Sequence, residues 1–140
     1  MASFDPRTGM TILDEATCWD LLSTAAVSRL AVLVGDDLEI FPINTVVDGP
    51  TIVFSTGEGT KLAAVTIARN VVVEADGHDD ATGEAWSVVV KGEADRLDRF
   101  DDIDKAEQLA LQSWSTHPKQ WFVRVKPRSI TGRRFAVSAG

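Results

Sequence analysis

Short runs of β-branched and aliphatic residues, each cut off by turn-forming residues, dominate the chain from residue 27 onward. Residues 27–34 (V-S-R-L-A-V-L-V) are too short for a stable helix and too rich in valine to favour one. Gly35-Asp36-Asp37 is turn material, residues 38–47 form a second run, Asp48-Gly49 is a hairpin signal, and residues 51–55 form a third. Further runs at 71–75, at 84–97 (with W-S-V-V-V-K-G), at 121–125 and at 129–137 bring the candidate strands to seven. So many short strands with few helices predict a mainly β fold, a six- to seven-stranded antiparallel barrel, closed or split.

Three segments follow a helical rhythm instead. In residues 14–26, Ala16, Trp19 and Leu22 recur at three-residue spacing, with Asp14 or a neighbour as cap and Glu15 at the positive end of the helix dipole. Residues 60–68 and 100–114 read as two more helices. Residues 1–12 read as an extended arm and 13–140 as one domain, as expected for 140 residues. Pro42 falls inside a candidate strand, which predicts an edge, a bulge or a ligand-facing irregularity there. The run at 27–34 is apolar enough to be covered on both faces, more than two small helices can supply, so a homodimer is expected.

Several functions are argued against by composition and motif. Fourteen basic against twenty-one acidic residues leave a net charge of −7, which would repel nucleic acid. The single Cys18 cannot form an internal disulfide, and it reads as a core residue rather than a nucleophile. The N-terminus lacks a signal-peptide pattern and no apolar run could span a bilayer, so a soluble, cytoplasmic protein without a membrane partner is expected. In Gly57-Glu58-Gly59-Thr60-Lys61, Thr60 stands where a Walker A loop needs glycine, and Leu62 stands where a dinucleotide fingerprint needs its third glycine. His78 and His117 lie in no nucleophile–base motif, and His78-Asp79-Asp80 has no metal-ligand spacing, so no metal site is expected.

What remains is residues 52–62 (I-V-F-S-T-G-E-G-T-K-L): a strand, hydroxyls, two glycines and a lysine opening a helix. Ser55 and Thr56 can donate hydrogen bonds, the glycines permit close backbone approach, and helix-start amides with Lys61 favour an anion. The pattern suits a terminal phosphomonoester. Taken alone, the run reads more readily as an ordinary strand-to-helix turn with a capping hydroxyl and an exposed lysine.

The same run, preceded by F-P-I-N (41–44) and followed by W-S-V-V-V-K-G-E-A (86–94) and W-F-V-R-V-K-P-R-S-I-T-G-R-R-F (121–135), resembles the FMN-binding split barrels of the pyridoxamine-5′-phosphate-oxidase-like superfamily. The resemblance implies that the segment containing Phe54, Ser55, Thr56, Thr60, Lys61 and Leu62 holds the flavin phosphate. It implies that Pro42, Ile43 and Asn44 meet the isoalloxazine edge, that Ser87 lines the ribityl chain or ring, and that Trp121 adds an aromatic contact across a dimer interface. For Trp86 and Trp121 core packing is an equal alternative. Pyridoxamine-phosphate oxidase itself carries an Arg-Lys pair where this chain has Thr60-Lys61, and its C-terminal Arg/His pattern is replaced by Gly132-Arg133-Arg134, so pyridoxamine phosphate is not the expected substrate.

The resemblance therefore implies an FMN-dependent oxidoreductase acting on a small molecule, with catalytic residues unassigned because the flavin carries the chemistry. A deazaflavin coenzyme in the same groove is an alternative; its acidic tail would need the basic region of Lys119, Arg124, Lys126, Arg128, Arg133 and Arg134. A non-catalytic flavin or haem carrier or sensor is a third.

Overall fold

Alternation of inward and outward side chains along the β-rich segments sets the architecture. In the computed structural model, residues 3–57, 59–67, 69–109 and 120–137 are described. Among the described residues nine strands run β1 (Ser3–Asp5), β2 (Met10–Ile12), β3 (Ser28–Val34), β4 (Asp37–Ile43), β5 (Thr45–Asp48), β6 (Thr51–Gly57), β7 (Arg69–Asp79), β8 (Glu84–Arg96) and β9 (Gln120–Ala136). Three helices, α1 (Glu15–Thr24), α2 (Lys61–Thr66) and α3 (Phe100–Glu107), interrupt them. The strands pair antiparallel in the order β1-β2-β9-β8-β7-β3-β4, while β6 joins β9 and carries β5 on its far side. The sheet is curled and unclosed, a split barrel.

The strand count exceeds the expected six or seven for reasons the chain makes plain. The arm supplies two short strands, since β1 pairs with β2 and β2 with residues 133–135 of β9. The run at 38–47 divides at Asn44, where the chain leaves β3 as partner and takes up β6. The two runs at 121–125 and 129–137 are instead one strand of 17 residues, and Gly132 lies within it. Strand β7 begins at Arg69 and runs past the expected end at residue 75, through the acidic stretch to Asp79. Of the expected 100–114 helix, Phe100–Glu107 is helical and residues 110–114 lie outside the described residues, as do His117 and Lys119.

The inner face collects Leu30, Val32, Ile52, Phe54, Val71, Val73, Val88, Val90, Val123 and Val125, all essentially inaccessible to solvent. Strand β3 differs from the expectation of two covered faces: Ser28, Leu30 and Val32 are buried, while Arg29 and Leu33 are exposed. Helix α1, capped by the Asp14 carboxylate accepting from the Thr17 amide at 2.9 Å, plugs the barrel with Cys18 and Leu22. The Asp14 carboxyl lies below the ordinary carboxylate range because of that capping bond. Burial, with the charges of Asp14 and Glu15, pushes the Cys18 thiol upward, so it stays protonated and inert at neutral pH. Helix α3 seals a second cluster outside β6, where Val53, Leu97 and Ala106 meet.

Two glycines are forced by close packing. A Cβ on Gly132 would stand 2.6 Å from the Cys18 Sγ, whereas one on Gly92, at the irregularity between Lys91 and Gly92, would strike the backbone carbonyl of Lys126. Gly132→Ala is expected to cost about 1–3 kcal/mol, and Cys18→Ala should recover part of it because the obstructing atom is a side chain. Gly92→Ala should be destabilising with no such rescue. Chemical denaturation of the single and double variants measures both effects.

Candidate functional site

The turn between β6 and α2 is organised by one hydroxyl. Thr60 caps α2: its Oγ1 accepts from the Ala63 amide at 3.2 Å and donates to the Gly57 carbonyl at 2.9 Å. The same oxygen lies 2.9 Å from the Thr56 hydroxyl, which is buried at the end of β6. Gly59 adopts φ +79°, a left-handed conformation that a side chain would strain. The capping alternative is thus correct for Thr60, and its hydroxyl is committed to the turn. Lys61 opens the helix, two-thirds exposed, and its Nζ meets the Glu39 carboxylate of β4 at 2.8 Å. Leu62 packs against the core.

Strand geometry separates the two adjacent hydroxyls. Thr56 follows Ile52 and Phe54 on the inner face, whereas Ser55 points to the opposite face with Val53. Phe54 is wholly buried, so its side chain serves the core. Trp121 stands opposite Thr56 on the inner face of β9, and the Arg96 guanidinium lies 3.8 Å above its ring. That contact joins β8 to β9 at the end of the barrel where the turn sits.

Pro42 lies on β4, an edge strand that pairs with β3 alone, and it stands opposite Arg29. Ile43 is buried and Asn44, half-buried, is the pivot between β4 and β5. A hydrogen bond of 3.0 Å between Ser28 and Thr45 holds that corner against the start of β3. Glu39 is three residues from Pro42, about 10 Å along the strand. The Lys61–Glu39 ion pair therefore brings Thr60, Lys61 and Leu62 alongside the edge carrying Pro42, Ile43 and Asn44. Ser87 is set apart, on the outer face of β8 with β7 and β3 between it and β4.

Ser87 instead borders a cavity of about 500 Å³ lined by Glu74, Asp76, Gly77, His78, Ala85, Trp86, Phe135 and Val137. It adjoins a second hollow of about 430 Å³ that reaches Ala25, Val27 and Arg29. The Arg29 guanidinium contacts Glu74 and Asp76 at 3.0 Å each through the same nitrogen. Burial, followed by the adjacent Asp76 carboxylate, pushes the Glu74 carboxyl upward despite Arg29. Among the described residues, no cluster of His, Cys, Asp and Glu could hold a metal ion.

A flavin-type split barrel with an anion-suited turn beside an open strand edge is the class this arrangement defines. Residues 14–134 match the sequence model of pyridoxamine 5′-phosphate oxidase, and the chain belongs to that family, within the flavin-binding pyridoxamine-5′-phosphate-oxidase-like superfamily. An FAD-binding protein of Mycobacterium smegmatis is similar in structure, with a TM-score of 0.82 and 42% identity over 91% of this chain and 99% of the other. A conserved protein of unknown function from Corynebacterium diphtheriae has a TM-score of 0.78 and 34% identity, at 91% and 99% coverage. An uncharacterized protein of Mycobacterium tuberculosis is 42% identical over 89 residues, 64% of this chain and 79% of that protein.

Sequence reasoning missed Glu39, Arg96 and the Arg29–Glu74–Asp76 group. Each becomes visible only when strand register is known; alternation of Glu39 with Phe41 and Ile43 was the one signal present. Glu74 offers a pH test. Its carboxyl is raised above 4.5 in the folded chain, so unfolding releases a proton in the window from 4.5 up to the folded value, and stability falls as pH rises through it. Glu74→Gln should remove that slope, so the variant gains on the wild type as pH rises through the window and the difference then levels off. Denaturant midpoints measured at closely spaced pH values check the sign.

Proposed function

We propose that this chain is a flavin-dependent oxidoreductase of the cytoplasm that acts on a small molecule and works as a homodimer. In this reading Lys61 and the opening of α2 hold the flavin phosphate, and the free edge of β4 at Pro42–Asn44 meets the ring. The observation that carries it is the 2.8 Å contact of Lys61 with Glu39, which sets the cation of the turn beside that edge. A strand edge offers backbone N–H and C=O groups to a planar heterocycle, and a lysine on a helix start offers charge to a phosphate. The bound flavin would supply the electron chemistry; the protein's residues bind and orient it and shape the space around it.

FMN, FAD and a deazaflavin coenzyme all present a phosphate to such a turn. FAD is favoured over FMN by the M. smegmatis relative, described as FAD-binding. That description also suits a carrier that holds flavin without turnover, a second reading separated by asking whether bound flavin is reduced and reoxidised catalytically. The cytoplasmic assignment rests on Cys18, a buried free thiol suited to a reducing compartment. Dimer formation is supported by the apolar side chains on the outer face of β3 and β4: Leu38 is 80% exposed, and Leu33 and Ile40 more than half.

The phosphate must compete with Glu39 for Lys61. Lys61→Ala is expected to weaken FMN and FAD by about 1.5–3 kcal/mol while leaving riboflavin, which has no phosphate, nearly unchanged. Glu39→Gln should strengthen FMN binding by freeing the ammonium. Absorbance titrations of all three flavins decide; equal losses for FMN and riboflavin would remove Lys61 from the phosphate site. In sedimentation the wild type should run at about twice its 15.2 kDa, and a variant with lysine for both Leu38 and Ile40 should run as a monomer.

A further inference from the structure

Trp121 is an aromatic side chain that the core leaves out. Of the tryptophans among the described residues, Trp19 and Trp86 pack against the main core, whereas Trp121 packs against neither cluster and stays partly exposed. It shares the alternation of Val123 and Val125 and so belongs to the inner face, but it stands one step past the last buried valine, at the rim of the barrel. Arg96 does the same on β8, continuing the inward series of Val90 and Ala94 to an exposed end. Its guanidinium lies 3.8 Å from the centre of the Trp121 ring. Lys61, Arg124 and Arg134 each meet a carboxylate, but among the described residues the partner of Arg96 is the indole. The neighbouring Asp95 faces the other side of β8. A guanidinium held flat on an aromatic face keeps its outer face and its edge N–H groups open, an arrangement that stacks a base and meets a phosphate.

The same rim carries the turn. Trp121 is the cross-strand partner of Thr56, whose hydroxyl meets that of Thr60, the residue before Lys61. A continuous path along the rim therefore runs from Lys61 through Thr60 and Thr56 to Trp121 and Arg96. We propose that Arg96 and Trp121 form a second cofactor subsite, which takes the adenosine phosphate half of FAD and makes this chain select FAD over FMN. The inference rests on the flavin reading above, with Lys61 at the phosphate that both flavins share. FMN ends at that phosphate; FAD carries a second phosphate, a ribose and an adenine beyond it. The second phosphate meets the guanidinium edge, and the adenine stacks on the guanidinium that the indole holds in place. In a chain of net charge −7, a cation engaged by no carboxylate among the described residues is where a second phosphate is least opposed.

The test titrates FAD and FMN into the full chain stripped of flavin, with affinities read by calorimetry. The wild type should bind FAD roughly ten-fold more tightly than FMN, the worth of one stacked base. Arg96→Gln and Trp121→Leu should each remove most of that preference by weakening FAD, with FMN held within about two-fold of the wild type. Trp121→Phe keeps an aromatic face and should retain the preference. Lys91→Gln, at an exposed cation on the opposite face of β8, should alter neither flavin. A contact that only joins β8 to β9 would instead change both flavins alike. Thermal melting of the flavin-free variants identifies any that fold poorly, and Arg96→Gln, at an exposed side chain, carries the comparison if Trp121→Leu does. Equal affinity of the wild type for FAD and FMN, or an Arg96→Gln effect that is absent or the same for both, would overturn the proposal and leave the flavin reading standing. Binding of neither flavin would overturn that reading and this subsite with it.

Discussion

Backbone pairing along β9 is the constraint on which the rest depends. Its 17 residues pair with β8 over nearly their whole length on one side. On the other side residues 120–125 take β6 and residues 133–135 take β2. One strand thereby ties the arm, the large sheet and the β5–β6 hairpin into a single surface that curls without closing. The curl requires glycine where another atom needs the space of a Cβ: Gly92 faces the β9 backbone and Gly132 faces Cys18. Removing either relief displaces α1 or the β8–β9 ladder, and with them the barrel interior.

Several cations on that frame are engaged by carboxylates. Arg29 serves Glu74 and Asp76, Lys61 serves Glu39, Arg124 serves Asp48, and Arg134 serves Glu84. These pairs are partly exposed and each adds little to stability. Their larger effect is positional. The Lys61 pair aligns the turn with the β4 edge, and Arg29 ties β3 to Glu74 and Asp76 of β7. In a chain of net charge −7 such placement governs which ligands approach.

Much of the fold was legible because turn chemistry and apolar alternation are local. The hairpin at Asp48-Gly49, the cap at Asp14 and the edge position of Pro42 follow from residue types and near neighbours. The site was legible in part. Thr60 and Lys61 stand out as a turn opening a helix, yet nothing in the string shows that Thr60 is spent on capping or that Lys61 reaches Glu39. Ser55 and Thr56 look alike in sequence, but a period of two sends them to opposite faces. Ser87, drawn in by resemblance alone, sits on the outer face beside a different cavity.

The sequence alone determined the class: mainly β, antiparallel, one family, and an anion-suited turn after the strand at 51–57. It could do so because those features are written in neighbouring residues and in the order of motifs. Only the tertiary structure decided that 120–136 is one strand, that the chain changes partner at Asn44, and that Gly77 stands opposite Trp86 and leaves room for its indole. Each of those depends on register between strands distant in sequence, and register is set by the packing of the whole sheet rather than by any segment of it.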